Sequence, residues 1–220
     1  FDTNDRSLSL RDEYFRSLAF AGLGQVYEHT GSYEKSVKAY LQVVDLCERL
    51  GMSNRLAWHY LNVGRAYLAL EENDRAKDFL HKVIDTRDDL SLEARASAYA
   101  NLGFSAFEEG NLKAALELLD RAEHLHLELN PEDTTNLSVI YSWRGRIELE
   151  QEEYEKAQAS FTKALQLAEA SEDLKMIAEL HNDFAGLYAD TGNYQVAYEY
   201  QVEHDRIKEA YLEALDHRQQ

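Results

Sequence analysis

Eight histidines, one cysteine and several adjacent carboxylates are the residues of this chain whose chemistry invites an enzymatic reading. His124 and His126 are two apart, a spacing that sends them to different faces of a helix, and no His-Glu-x-x-His run or cysteine cluster supplies a set of metal ligands. The histidines therefore read as solvated or groove-lining side chains. Glu71-Glu72 and Glu152-Glu153 fall in predicted turns, outside the apolar enclosure that sets one carboxyl against another as acid and base. No glycine-rich phosphate loop or nucleophile elbow occurs, and Cys47, near the end of a predicted helix, reads as a small packing residue. The chain is expected to be non-catalytic, with no cofactor and no metal.

The elements that carry these residues are helical. One proline and ten glycines among 220 residues, with abundant Ala, Leu, Glu and Arg, predict an all-α fold. No apolar run is long enough to span a membrane, so a soluble protein is expected. A formal net charge of −18 repels phosphate backbones and anionic headgroups, which argues against nucleic acid and membrane as partners. The acids between Glu108 and Glu155 read as a solvated face. A lone cysteine fits a reducing compartment, so the expected location is cytoplasmic. The chain opens on Phe1 without a signal-like segment, as a fragment of a longer protein would. Its first nine residues are polar and predict a loop or frayed start.

Tyr99 to Ala122 holds the clearest pattern. Small residues at Gly103, Ala115 and Ala122 let two short helices approach closely, with Tyr99, Leu102 and Leu119 on the flanks. The same arrangement recurs around Gly24, Gly64, Gly145 and Ala185, so successive small positions are 40, 39, 42 and 40 residues apart. Five helical hairpins are predicted, over approximately residues 10–50, 55–90, 94–130, 134–170 and 174–220, as one domain. A helix pair of this size buries its apolar face only by stacking on its neighbours.

Each unit follows aromatic-x-x-Leu-Gly-x-x-Tyr in its first helix and Ala-x-x-x-aromatic-x-x-Ala in its second at most positions, and in this the chain resembles the tetratricopeptide repeat family. The resemblance implies an α-solenoid of five helix-turn-helix units in a right-handed superhelix, with the first helices lining a concave groove, and a long C-terminal helix follows. The 39–42-residue period is longer than the basic repeat and is similar to that of Rap-type regulators, Pins-type adaptors and bacterial sensor arrays. Longer second helices and linkers are expected from it. Departures from the pattern are Glu71 and Glu152 in place of a turn glycine, predicting turns of different shape or under strain. Arg144 stands for a core Leu, Ala185 for Gly and Gln201 for an aromatic.

The family places its ligands along the first helices. On the matched positions this implies a peptide- or protein-binding groove lined by Gln25, Glu28 and His29, by Trp58, Asn62 and Arg65, by Asn101 and Phe104, by Trp143 and Arg146, and by Asn182 and Asp183. Asn62 and Asn101 offer amides to a peptide backbone, and Arg65 and Arg146 a fork for a carboxylate. Trp58, Phe104 and Trp143 supply apolar contact. Two other roles stay open: Trp58 and Trp143 as packing between repeats, and Arg65 as the partner of a neighbouring Glu.

Ala197, Tyr200, His204, Ile207, Tyr211 and Ala214 advance by 3, 4, 3, 4 and 3 in the last helix. This stripe either caps the array or, around Ile207–Leu215, makes a coiled-coil or dimer contact. The chain then has two readings: a binding module, or the sensory region of a bacterial signalling protein of diguanylate cyclase or histidine kinase type, whose exit helix leads to an output domain beyond Gln220.

Overall fold

The structure is a computed structural model that describes residues 3–86 and 91–219. The end of the second predicted hairpin and Gln220 lie outside the described residues, as does the side chain of Leu215. Among the described residues every regular element is an α-helix: α1 (Thr3–His29), α2 (Tyr33–Leu50), α3 (Ser53–Leu68), α4 (Asn73–Asp85), α5 (Leu92–Glu108), α6 (Leu112–Leu129), α7 (Thr134–Glu150), α8 (Tyr154–Ala170), α9 (Leu174–Asp190) and α10 (Tyr194–Gln219). The fold is the all-α class expected from composition. One boundary differs, because α1 begins at Thr3 where a loop was expected. Thr, Asn and Asp favour helix starts as well as loops, which is why composition alone misplaced it.

The chain divides into two compact units, residues 1–109 and 110–220. In the first, α1 packs on α2, α2 on α3, α3 on α4 and α4 on α5, and α3 also touches α5. In the second, α6 through α10 pack in the same consecutive manner, with α7 also touching α9. The division falls in the turn after α5, within the Tyr99–Ala122 stretch.

Three of the hairpins are held where a glycine lets a large side chain lie against the first helix. A Cβ placed on Gly24 would meet the Tyr40 ring at 2.4 Å, one on Gly64 the Leu80 side chain at 2.9 Å, and one on Gly145 the Phe161 ring at 2.5 Å. Tyr40, Leu80 and Phe161 are completely buried there. Beyond Phe161, ring contacts continue to Phe184 at 5.6 Å and from Phe184 to Tyr200 at 4.9 Å, tying α8, α9 and α10 into one core. Aromatic pairs of this kind add about 0.5–1.5 kcal/mol each beyond their burial.

The turns decide between the two expected alternatives, a different shape or strain. Gly31 (φ 69°) and Gly192 (φ 79°) end α1 and α9 in the left-handed conformation, and Glu71 and Glu152, both at φ 59°, hold the same conformation after α3 and α7. In each case the N–H of the residue after the left-handed one bonds back to a carbonyl five residues earlier: Ser32 to Tyr27 at 2.8 Å, Glu72 to Tyr67 at 3.0 Å, Glu153 to Glu148 at 2.8 Å and Asn193 to Tyr188 at 2.8 Å. The glutamate turns keep the glycine shape. Their departure is local strain, since a side chain in this region costs on the order of 1 kcal/mol. The expected lengthening of second helices is uneven, because α4 has 13 residues against 18 in α2 and α6.

Two substitutions with opposite outcomes follow from this geometry. Glu152→Gly is expected to raise stability by up to about 1 kcal/mol, by removing the left-handed penalty without loss of a buried contact. Gly145→Ala is expected to lower it by about 1–3 kcal/mol, because the new methyl overlaps Phe161. Urea denaturation of both variants measures the two shifts, and equal or reversed signs would contradict the account.

Candidate functional site

In the first unit the site-forming side chains are rooted in the α1–α2 hairpin. Ser36 donates to the Gly24 carbonyl at 2.9 Å, and the Tyr40 hydroxyl, from the buried ring against Gly24, donates to Glu28 at 3.0 Å. Burial, and then the Glu28 charge, push the Tyr40 phenol well above its ordinary value, so it stays a donor. The other Glu28 oxygen is 3.0 Å from Nη2 of Arg65 on α3. Arg65 thus has the neighbouring-glutamate partner that was one of its two expected roles. It is also half exposed, so the pair is weak by itself.

The other predicted residues of this unit are spread along α1, α3 and α5. Gln25 and His29 are exposed, Asn62 is half-buried, and Trp58 keeps 37% of its surface exposed. The Asn101 amide donates to the Ser97 carbonyl one turn back at 2.7 Å, a contact that turns it along its own helix. Phe104, half-buried, follows it on α5.

The second unit holds a tighter group. Nε of Arg146 on α7 lies 2.9 Å from both carboxylate oxygens of Asp183 on α9, and the Arg146 guanidinium sits 4.5 Å from the centre of the Trp143 ring. Ser142 adds a long contact to Asp183 at 3.4 Å. Asp183 is only 10% exposed and Arg146 25%, so this pair is largely withdrawn from water. Burial raises the Asp183 carboxyl above its ordinary range, and the adjacent Arg146 opposes that rise. Asn182, next in sequence to Asp183, is exposed. Of the predicted residues, Arg146 therefore touches both Trp143 and Asp183, and is countered from within the chain.

Arg144, at a position expected to be Leu, bonds Asp120 and Glu123 of α6 at 2.7 Å each. The tyrosine hydroxyl of Tyr141 shares Glu123 with it. An ion-pair cluster takes the place of an apolar contact between α6 and α7.

The histidines correct a third expectation. His126 is 2% exposed, with Nδ1 3.1 Å from Asp133, and His204 Nδ1 is 2.8 Å from the Ala178 carbonyl. Both are structural rather than solvated. Their signal in the sequence was position, since His126 lies one helical turn after the buried Ala122, in the last turn of α6, and Asp133 is the residue that caps α7. His59 and His181 are partly buried too, and burial lowers both pKa values.

Two hollows lie away from these groups. One of about 460 Å³ runs over α8 between Glu155 and Gln166, and one of about 350 Å³ lies at Glu71–Arg75. Each is formed by one continuous stretch of chain, so neither gathers polar groups from several elements as a small-molecule site does. No helix among the described residues is long and apolar enough to cross a membrane.

With the geometry in place, the similarities are these. Tetratricopeptide repeat family models match residues 16–89 and 139–171. The crystal structure of BtubC (BKLC) from P. vanneervenii superposes with a TM-score of 0.74 at 16% identity, covering 94% of this chain and 86% of that one. The repeats of a putative kinesin light chain from Podosopora anserina superpose at 0.65 and 16% identity, covering 90% of this chain and 97% of the other. The apo form of RapI does so at 0.63 and 15%, covering 89% and 85%. Comparison with curated protein sequences gives no match. At these identities the structural likeness is one of fold.

The lowered histidines set a pH dependence. A base whose folded pKa is depressed stays neutral in the fold while the unfolded chain takes up a proton below its ordinary value of 6.5. Stability is therefore lost as pH falls through that value. The unfolding midpoint is expected to drop between about pH 7.5 and pH 5.5, and to drop less in His181→Phe. Equal drops in the two proteins would contradict the assignment to His181.

Proposed function

We propose, for a chain that belongs to the tetratricopeptide repeat family, a non-catalytic module that binds a protein or peptide along the exposed sides of its first helices. The Trp143–Arg146–Asp183 group carries this reading. A charged pair that is costly to withdraw from water, laid under an aromatic ring on the side of two adjacent first helices, is a rigid polar anchor. Arg65, held by Glu28 beside Trp58 and Asn62, is its counterpart in the first unit. Arginine presents five N–H donors, and the Asp183 contact uses Nε, so a ligand carboxylate or backbone carbonyl adds to the pair from the guanidinium's other end. Because Glu28 and Asp183 counter both arginines, a ligand with mixed or basic character fits better than a strongly acidic one.

A second reading rests on α10. The His204–Ala178 bond fixes the antiparallel register of α10 on α9, and α9 begins only four residues before Ala178, whereas α10 runs on to Gln219. The last turns of α10 extend past the start of α9, as an exit helix would. This favours, as the second reading, a regulatory region that passes a binding signal through α10.

Both tryptophans of the chain lie at the proposed surface, which gives the test a direct readout. Peptides selected from a random display library against the chain are expected to shift tryptophan emission on binding. Affinity is expected to fall about tenfold or more in Arg65→Ala and in the charge-neutral double variant Arg146→Gln with Asp183→Asn. Binding that leaves both tryptophans unchanged and survives these substitutions would overturn the proposal.

A further inference from the structure

The last turn of an α-helix gathers unpaired carbonyls and a partial negative charge, which a Lys, Arg or His side chain there offsets. Helices α1, α2, α3, α4 and α6 carry such a residue, at His29, Arg49, Arg65, Lys82 and His126. Helices α5, α7, α8 and α9 carry none. In the second unit the first helices α7 and α9 go further, since each ends on a carboxylate, Glu150 and Asp190, five residues past Gly145 and Ala185. An acid at a helix C-terminus repels the charge already there, so both side chains work against the helices that carry them.

The fold makes no use of either carboxylate. Both are exposed, and among the described residues neither pairs with a cation, whereas Glu153, Glu179 and Asp183 have Lys156, Lys175 and Arg146. The counterparts of Glu150 and Asp190 in the other first helices, His29, Ala69 and Glu108, are exposed as well. The openness of this position is a property of the repeat and not of either end of the chain.

Glu150 and Asp190 flank the Trp143–Arg146–Asp183 group. On α7, Glu150 is one turn past Arg146 and two past Trp143, and on α9, Asp190 is two turns past Asp183. The Arg146–Asp183 contact holds the two helices side by side, and the α8 hairpin between them makes them run in the same direction. Both carboxylates therefore stand at one end of the surface and the Trp143 ring toward the other. Along this side Arg146 is matched by Asp183 and Lys175 by Glu179, which leaves the charges of Glu150 and Asp190 uncovered. That end, with two helix C-termini behind it, favours a cation and repels a carboxylate.

We infer that the partner of the α7–α9 side is a basic peptide segment, which seats a Lys or Arg side chain between Glu150 and Asp190 and an apolar side chain on Trp143. This rests on the groove reading above and adds the chemistry and direction of the partner to it. Trp143 and Glu150 are about 10 Å apart along α7, a distance that an extended chain covers in about three residues. The partner thus carries an apolar and a basic residue at that spacing, the basic one toward the C-termini of α7 and α9.

Peptides selected against the chain from a random display library, and their variants with Lys or Arg replaced by Gln, are the probes, read by fluorescence anisotropy. The selected peptides are expected to be enriched in Lys and Arg at that spacing from an apolar residue. Glu150→Gln with Asp190→Asn should weaken the parent peptide about tenfold or more and the Gln peptide little. The same charge change on α6, at the exposed Glu117→Gln with Glu128→Gln, should leave affinity unchanged. The Glu150→Gln with Asp190→Asn variant should keep its helical circular dichroism and unfold at a higher temperature, because an acid leaves each helix end. Selected peptides without basic residues, equal losses in the two protein variants, a loss as large for the Gln peptide as for its parent, or a lower unfolding temperature would each overturn the inference. Where binding in those cases still falls in Arg146→Gln with Asp183→Asn, the groove reading stands and the partner's chemistry alone is wrong. Peptides indifferent to both pairs of substitutions would overturn the two together.

Discussion

The close approach of a bulky side chain to a backbone without a Cβ is the constraint on which this fold rests. Tyr40, Leu80 and Phe161 are each fully buried against Gly24, Gly64 and Gly145, at distances that a methyl group would occupy. That contact sets the separation of the two helices in a hairpin, and with it the direction in which every other side chain of the first helix points. Glu28 is four residues past Gly24, and Tyr40 both fills the gap at Gly24 and bonds Glu28. Packing and the polar surface are thus built by one residue.

The polar contacts along the first helices inherit this rigidity. Arg65 reaches back from α3 to Glu28 of α1, and Arg146 reaches forward from α7 to Asp183 of α9, so in each unit a guanidinium spans two adjacent first helices. Side chains fixed in this way lose little further freedom when a ligand arrives, and the conformational cost of binding falls accordingly. Glu28, Glu123 and Asp183 are each held by an arginine together with a tyrosine or serine, and His126 and His204 bond Asp133 and the Ala178 carbonyl.

Much of the architecture was legible in the sequence because the small residue must recur at a fixed phase of each repeat. Gly24, Gly64 and Gly145 could be read directly, and the ring opposite each lies 16 residues on or, at Gly64, is replaced by Leu80. The turns were harder. Glu71 and Glu152 carry no local mark of a left-handed backbone, which is imposed by the bonds closing the helix ends rather than by the residue itself. The site was legible as a set of positions and not as a set of contacts. Spacing put Arg146 and Asp183 on neighbouring first helices, but only three-dimensional packing decides that they meet, and that a buried carboxylate rather than a ligand counters the arginine.

Hydrogen–deuterium exchange of the chain, with and without a peptide that it binds, tests the central claim most directly. Slowed exchange confined to α3 and α5 around Trp58–Arg65 and Asn101–Phe104, and to α7 and α9 around Trp143–Arg146 and Asn182–Asp183, is the result this account predicts. Slowing confined to the outer surface of α8 between Glu155 and Gln166, with the first helices unchanged, would contradict it.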